Sequence, residues 1–185
     1  MMGITVPAAP TIAATYPFGE VRRVCDVGGG RGTLLSELLL RHPHLSGVLC
    51  ESPAVIDSAR SLLRQRGVED RVELAPGNFF DSVPSDCDAY LLKNVLHDWD
   101  DEHCARILDT CRSAMRPGDK LLIVEFVVEK NEVAFPALMD VAMLTQCGGR
   151  ERTRAEFERL LRASGFRMAR VFDTPGQSII EGIAS

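Results

Sequence analysis

A chain of 185 residues, 45% hydrophobic and 25% charged, is sized and composed for one soluble domain with a substantial core. Its formal net charge of -5, without any basic run interleaved with aromatics, excludes nucleic acid as a partner, and no stretch is apolar for long enough to make a spanning helix. Six scattered cysteines with no C-x-x-C pair, and four histidines that join them at no usual spacing, exclude a zinc site and any other clustered metal centre. Reduced, packed thiols and a cytoplasmic location are the expectation.

Met1 to Pro17 carries no charge and contains Pro7, Pro10 and Pro17, so it reads as a connector ahead of a domain over 18–185. Val24-Cys25-Asp26-Val27 is long enough for a buried strand and too short for a helix. Gly28, Gly29, Gly30 and Gly32 then make a tight turn, and Thr33 to Arg41 starts a leucine-rich helix right behind it. Strand, glycine turn and helix N-terminus together form a nucleotide-type site. The pattern Asp26-x-Gly28-x-Gly30-x-Gly32 is tighter by one residue than the dinucleotide fingerprint. Its carboxylate is a poor neighbour for a pyrophosphate and a good one for a cation, such as the sulfonium and ammonium of S-adenosylmethionine.

Gly47 to Glu51 is a second strand, and Glu51 falls about 20 residues beyond the loop, where a carboxylate that binds ribose hydroxyls is expected. A solvated acid at a strand end is the plainer alternative. Ser52-Pro53 opens a helix that runs to Gly67. Val72 to Ala75 is a third strand leading into Gly77-Asn78-Phe79-Phe80, where Asn78 offers a donor and an acceptor to an adenine edge, or else is a turn asparagine beside two core phenylalanines. A fourth strand and its exit, Asp88 to Leu96, run directly into His97-Asp98-Trp99. His97 is either a base or a cap for the next helix. That helix, Asp100 to Met115, has acids in its first turn and is closed by Pro117-Gly118. Lys120 to Glu125 is a fifth strand, also ending in an acid. A helical segment within 131–149, a helix from about Thr153 to Ser164, and two strands, Ala169 to Phe172 and Ser178 to Ala184, complete the chain.

Strands alternating with helices up to the final pair define an α/β fold: a doubly wound, Rossmann-like sheet, mostly parallel with a C-terminal antiparallel hairpin. Ligands in such a sheet bind beyond the carboxyl ends of the strands. Asp26 and its glycines, Glu51, Asn78, His97 and Glu125 all fall on that edge, each after a different strand. This convergence points to a cofactor site with an adjacent base.

Three segments in this order resemble the S-adenosylmethionine-dependent small-molecule O-methyltransferases, the family of the plant caffeic acid and bacterial polyketide enzymes. They are Val24-Cys25-Asp26-Val27-Gly28-Gly29-Gly30-Arg31-Gly32, Lys93-x-x-x-His97-Asp98-Trp99-x-Asp101-Glu102-His103-Cys104, and Gly148-Gly149-Arg150-Glu151-Arg152-Thr153 followed by Glu156-Phe157. The resemblance implies S-adenosylmethionine as cofactor and a small phenolic or polyketide-like acceptor. It puts Gly28 and its loop, including Gly30 and Gly32, on the methionine part, Glu51 on the ribose, Asn78 and Phe79 on the adenine, and Lys93 beside the cofactor. It makes His97 the general base, flanked by Glu125 and Glu151, and sets Met139 and Met143 in the acceptor pocket, though a Met pair at helical spacing also suits plain core packing.

Many relatives carry an acid where Asn78 stands. The family's N-terminal helical domain, which dimerises and closes the acceptor pocket, has no counterpart before Phe18, so 1–17 reads as its remnant and a homodimer is expected only where that domain is present. The rival readings are a non-catalytic domain that binds the cofactor, and a nicotinamide-dependent oxidoreductase, which Glu51 favours and the glycine spacing does not.

Overall fold

Short apolar runs, buried on both faces in the central strands, build a seven-stranded sheet in the computed structural model, which describes residues 5–128 and 149–185. Its strands are β1 (Arg23–Val27), β2 (Ser46–Glu51), β3 (Val72–Pro76), β4 (Ala89–Lys93), β5 (Lys120–Glu125), β6 (Phe166–Asp173) and β7 (Ser178–Ala184). The helices are α1 (Thr5–Thr15), α2 (Thr33–Arg41), α3 (Pro53–Gln65), α4 (Asp101–Ala114) and α5 (Arg154–Ala163). The strand order is β3-β2-β1-β4-β5-β7-β6. The first five strands pair in parallel, and β7 pairs antiparallel with both β5 and β6. The expected doubly wound sheet with its terminal hairpin is therefore present. The helical segment read within 131–149, with Met139 and Met143, lies outside the described residues.

The pleat sorts each strand's side chains onto two cores. On β5, Leu122 and Val124 join α1, α2 and α3 on one face, while Leu121 and Ile123 join α4 and α5 on the other. Connections from β1 and β4 leave in opposite directions, so the strand order reverses between these two neighbours and opens a crevice at their carboxyl ends. Two helix starts are fixed by side chains. The Asp100 carboxylate accepts from the His103 amide at 2.9 Å, and Thr153 with Glu156 forms a capping box ahead of α5. Asp100 is thus the cap of α4, which leaves His97 free of that duty. Ser52 makes no side-chain cap at α3, where Pro53 occupies the first turn instead.

The connector expected over Met1–Pro17 is corrected by α1. Despite Pro10 in its interior, this helix buries Ala9, Ile12 and Ala13 against α2, and Tyr16 and Phe18 continue the same core. Tertiary burial outweighs the local cost of the proline, about 3 kcal/mol. The β6 strand also begins earlier than expected, because Phe166 is buried and pairs with Ala184.

Tyr16 ties this N-terminal element to the far end of the chain, its hydroxyl donating to Glu181 Oε2 on β7 at 2.7 Å in a buried setting. Tyr16→Phe leaves that carboxylate short of a donor, which should cost about 1–3 kcal/mol of stability in urea unfolding. An unchanged midpoint would show that the bond does not hold α1 to the sheet.

Candidate active site

Asp26, one residue before the end of β1, is only 1% exposed, and neither carboxylate oxygen has a hydrogen-bond partner among the described residues. Gly29 explains how the loop passes so close, since a Cβ there would sit 2.4 Å from Asp26 Oδ2. Gly28, at φ +67, is faced by Val95 and Phe79, so the loop runs between the acid and an aromatic wall. Burial pushes the Asp26 carboxyl up to about 7, with Lys93 pulling it down and Glu51 adding to the rise. Buried polar groups rarely go unpaired in native proteins, so an orphaned carboxylate at a sheet edge is a place for a ligand that donates or carries positive charge.

Glu51 braces the same loop, accepting from the Gly30 amide at 2.9 Å and the Ser52 amide at 2.6 Å, one bond to each oxygen. A carboxylate has roughly four acceptor positions, so two remain for hydroxyl donors. Lys93, at the end of β4, is buried; desolvation pulls its ammonium down while Glu125 and Asp26 hold it up. A cavity of 610 Å³ is lined by Asp26, Gly28, Gly30, Lys93 and Asn94 and extends along α2 and α3. That volume suits a nucleoside-sized ligand.

Asn78 is exposed and does not line this cavity. Its amide is used inside its own turn, with Nδ2 donating to Asp81 Oδ2 at 3.0 Å and Oδ1 accepting from the Phe80 amide at 3.1 Å. Of the two readings of Asn78, this geometry matches the turn asparagine. Phe79 does reach the glycine loop, against Gly28.

His97 lies on a single 3-10 turn, Leu96–Asp98, and is 5% exposed. Glu125 is wholly buried: its Oε1 accepts from the amides of Val95 and Leu96 at 3.0 Å each and of His97 at 3.4 Å, and its Oε2 lies 3.2 Å from His97 Nδ1. Glu151 approaches the same ring nitrogen at 3.7 Å, and Asp98 faces Nε2 at 3.3 Å. These are ion-pair contacts rather than aligned hydrogen bonds, for neither ring nitrogen meets hydrogen-bond geometry. Burial alone would push the imidazole down, but Glu125 and Glu151 outweigh it and lift it to about 10. A histidine with an ordinary value is neutral at pH 7, whereas this one is an imidazolium. Its ring and the two glutamates also converge closely enough for a metal ion, yet ordinary backbone and imidazolium contacts already account for the Glu125 charge.

The structure thus joins Asp26, Gly28, Gly30 and Lys93 around one cavity, with Glu51 bracing its loop and Gly32 capping α2, and groups His97, Glu125 and Glu151 next to it. Asp98 and Arg152 were not foreseen. Asp98 directly follows the histidine in the sequence, a signal that was there to use; Arg152 offered only a charge in a loop.

The Asp26 shift has a defined consequence for stability. Its folded value lies above the unfolded 3.8, so its contribution is fully present below about 3.8 and is lost as the pH rises through about 7. Asp26→Asn should therefore be more stable than the parent at about pH 8, on the order of a few kcal/mol, and converge with it near pH 4. Equal melting curves at both pH values would mean that the Asp26 charge is compensated in the folded state.

Comparison with known proteins gives the family. The model of the O-methyltransferase domain family matches residues 5–167. A mitomycin biosynthesis 6-O-methyltransferase of Streptomyces lavendulae is 41% identical over 92% of this chain and 49% of its own length. A phenazine O-methyltransferase of Lysobacter antibioticus is 42% identical over 97% of this chain and 53% of its own. The crystal structure of an O-methyltransferase from neocarzinostatin biosynthesis, in complex with S-adenosylmethionine and 2-hydroxy-5-methyl naphthoic acid, superposes with a TM-score of 0.87 at 36% identity, over 94% of this chain and 52% of that one. The chain spans about half the length of these relatives. With the family model covering most of its residues, the chain belongs to the O-methyltransferase domain family.

Proposed function

We propose that this domain binds S-adenosylmethionine over the Asp26–Gly32 loop and methylates a hydroxyl of a small aromatic acceptor, with His97 taking the hydroxyl proton. The observation that carries the reading is the pairing, on one sheet edge, of an orphaned buried carboxylate with a histidine whose Nδ1 faces two buried glutamates. The cofactor would supply an electrophilic methyl group and a positive charge. Asp26 offers that charge a counter-ion, and Glu51 has acceptor positions left for ribose hydroxyls. Phe79 stands where a flat base would lie against the loop. Met139 and Met143 belong, on this reading, to the acceptor pocket. Dimerisation and closure of that pocket belong to the half of the relatives' length that this chain does not span.

His97 contributes in two ways. With Nδ1 facing Glu125 and Glu151, the acceptor's proton would go to Nε2, which is buried and faces Asp98 at 3.3 Å. Its raised value, about 10, matches the roughly 10 of a phenol, so the proton moves between near-equal partners at little thermodynamic cost. The base must first be neutral, and that fraction grows about tenfold per pH unit below its pKa.

Calorimetry with S-adenosylmethionine, S-adenosylhomocysteine and NAD tests the binding half. Glu51→Ala should weaken the first two by about 1.5–3 kcal/mol, the worth of charge-assisted hydroxyl bonds. Binding of NAD in place of both would overturn the assignment. For the chemistry, His97→Gln should lower kcat by about two to four orders of magnitude with cofactor affinity kept, and the parent's rate should climb from pH 6.5 toward pH 9. A parent that binds the cofactor yet methylates nothing on a panel of phenols would favour the non-catalytic reading.

A further inference from the structure

Arg152 is the largest fully buried side chain among the described residues, and no part of it reaches the cavity. Two of its five hydrogen bonds reach carbonyls of the turn that carries His97, and the others go to Asp101 and Arg150. Nη1 donates to the Leu96 carbonyl at 2.8 Å and the Arg150 carbonyl at 3.3 Å. Nη2 donates to the Trp99 carbonyl at 2.8 Å and to Asp101 Oδ1 at 2.8 Å, and Nε donates to the same carboxylate oxygen at 3.0 Å. The backbone of Arg152 is fastened elsewhere, bridging to Val127 and accepting from the Val128 amide at 3.1 Å, just beyond Glu125 on the exit from β5.

The turn is therefore held at both poles. Glu125, a negative group, takes its amides at residues 95 to 97, and Arg152, a positive group, takes its carbonyls at 96 and 99. Gly149 closes the arrangement, since a Cβ there would stand 2.0 Å from the His97 carbonyl. Between these contacts, successive residues of one segment divide the work: Glu151 faces the ring and Arg152 faces the turn beneath it.

We propose that Arg152 is a positioning residue for His97: by locking the carbonyl side of the 96–99 turn, it fixes the imidazole against Glu125 and Glu151. This rests on the reading of His97 as the base, but it makes a claim about ring position that can be measured without turnover. The acids that face the ring are Glu125 from β5, Glu151 from the segment before α5, and Asp98 from the turn itself.

The decisive variant is Arg152→Lys, which keeps the positive charge and discards the planar fork, so that any effect comes from geometry. In the full chain labelled at histidine nitrogens, NMR titration should show the His97 midpoint lowered by one unit or more, because burial persists while the acids no longer meet the ring. Where the parent turns over, kcat should fall at least tenfold with cofactor affinity within twofold. Should Arg152→Lys not fold, Asp101→Asn removes the half-exposed carboxylate that takes two of the guanidinium bonds, and should lower the same midpoint by a smaller amount. A folded variant with His97 titrating as in the parent would overturn the proposal and leave Arg152 a source of stability alone. A parent with no activity but a lowered midpoint in the variants would count against the proposed reaction and in favour of this role.

Discussion

The Glu125 carboxylate is the constraint on which the site depends. A charge with no exposed surface needs full compensation, and leaving one uncompensated costs several kcal/mol. Strand β5 delivers it to the sheet edge in register between Lys93–Val124 on one side and Glu125–Ser178 on the other. There its compensation comes from three backbone amides and the ring of His97, and those amides point inward only if residues 95 to 98 turn as they do. The position of His97 is thus a condition for burying Glu125.

The surrounding charges extend the same logic. From the glycine loop to the segment before α5 the buried ionisable groups alternate: Asp26, Lys93, Glu125, His97, Glu151. Lys93 is felt by both Asp26 and Glu125, and His97 by both glutamates. Each charge has an opposite neighbour, and the row begins and ends on an acid. Such a row carries an excess of negative charge, located at the Asp26 end where the hydrogen bonds are missing, which suits a cationic guest better than a phosphate.

How much of this could be read from the sequence follows from how local each signal is. Asp26, Glu51 and Glu125 were legible because short apolar runs mark strands, and parallel strands bring their carboxyl ends to one edge; Lys93 came only from the family resemblance. Helix α1 was not, because Pro10 and the lack of charge mask a face whose only argument for a helix is Ile12, Ala13 and Tyr16 fitting against α2. Arg152 reads in sequence as one more solvated charge; its burial depends on carbonyls supplied by a turn more than fifty residues earlier in the chain. Asn94, whose φ of 54 is left-handed, likewise meets a distant partner, Gln177, whose Nε2 donates to its side chain at 2.5 Å. The titration of His97 is hidden from the sequence for a related reason. A histidine's ordinary titration is a property of the residue, and this one's is shaped by three acids from three segments.

The two nitrogens of His97 are not equivalent, and the proposed function gives them different parts. Nδ1 faces Glu125 and Glu151, whose side chains are 0% and 2% exposed. Nε2 faces Asp98, whose side chain is 28% exposed. Burial pushes the Asp98 carboxyl up, with His97 pulling it down and Glu125 adding to the rise. On the proposed function, Nδ1 stays against the two enclosed glutamates while Asp98, the more exposed acid, is the partner that would give way to an acceptor hydroxyl at Nε2.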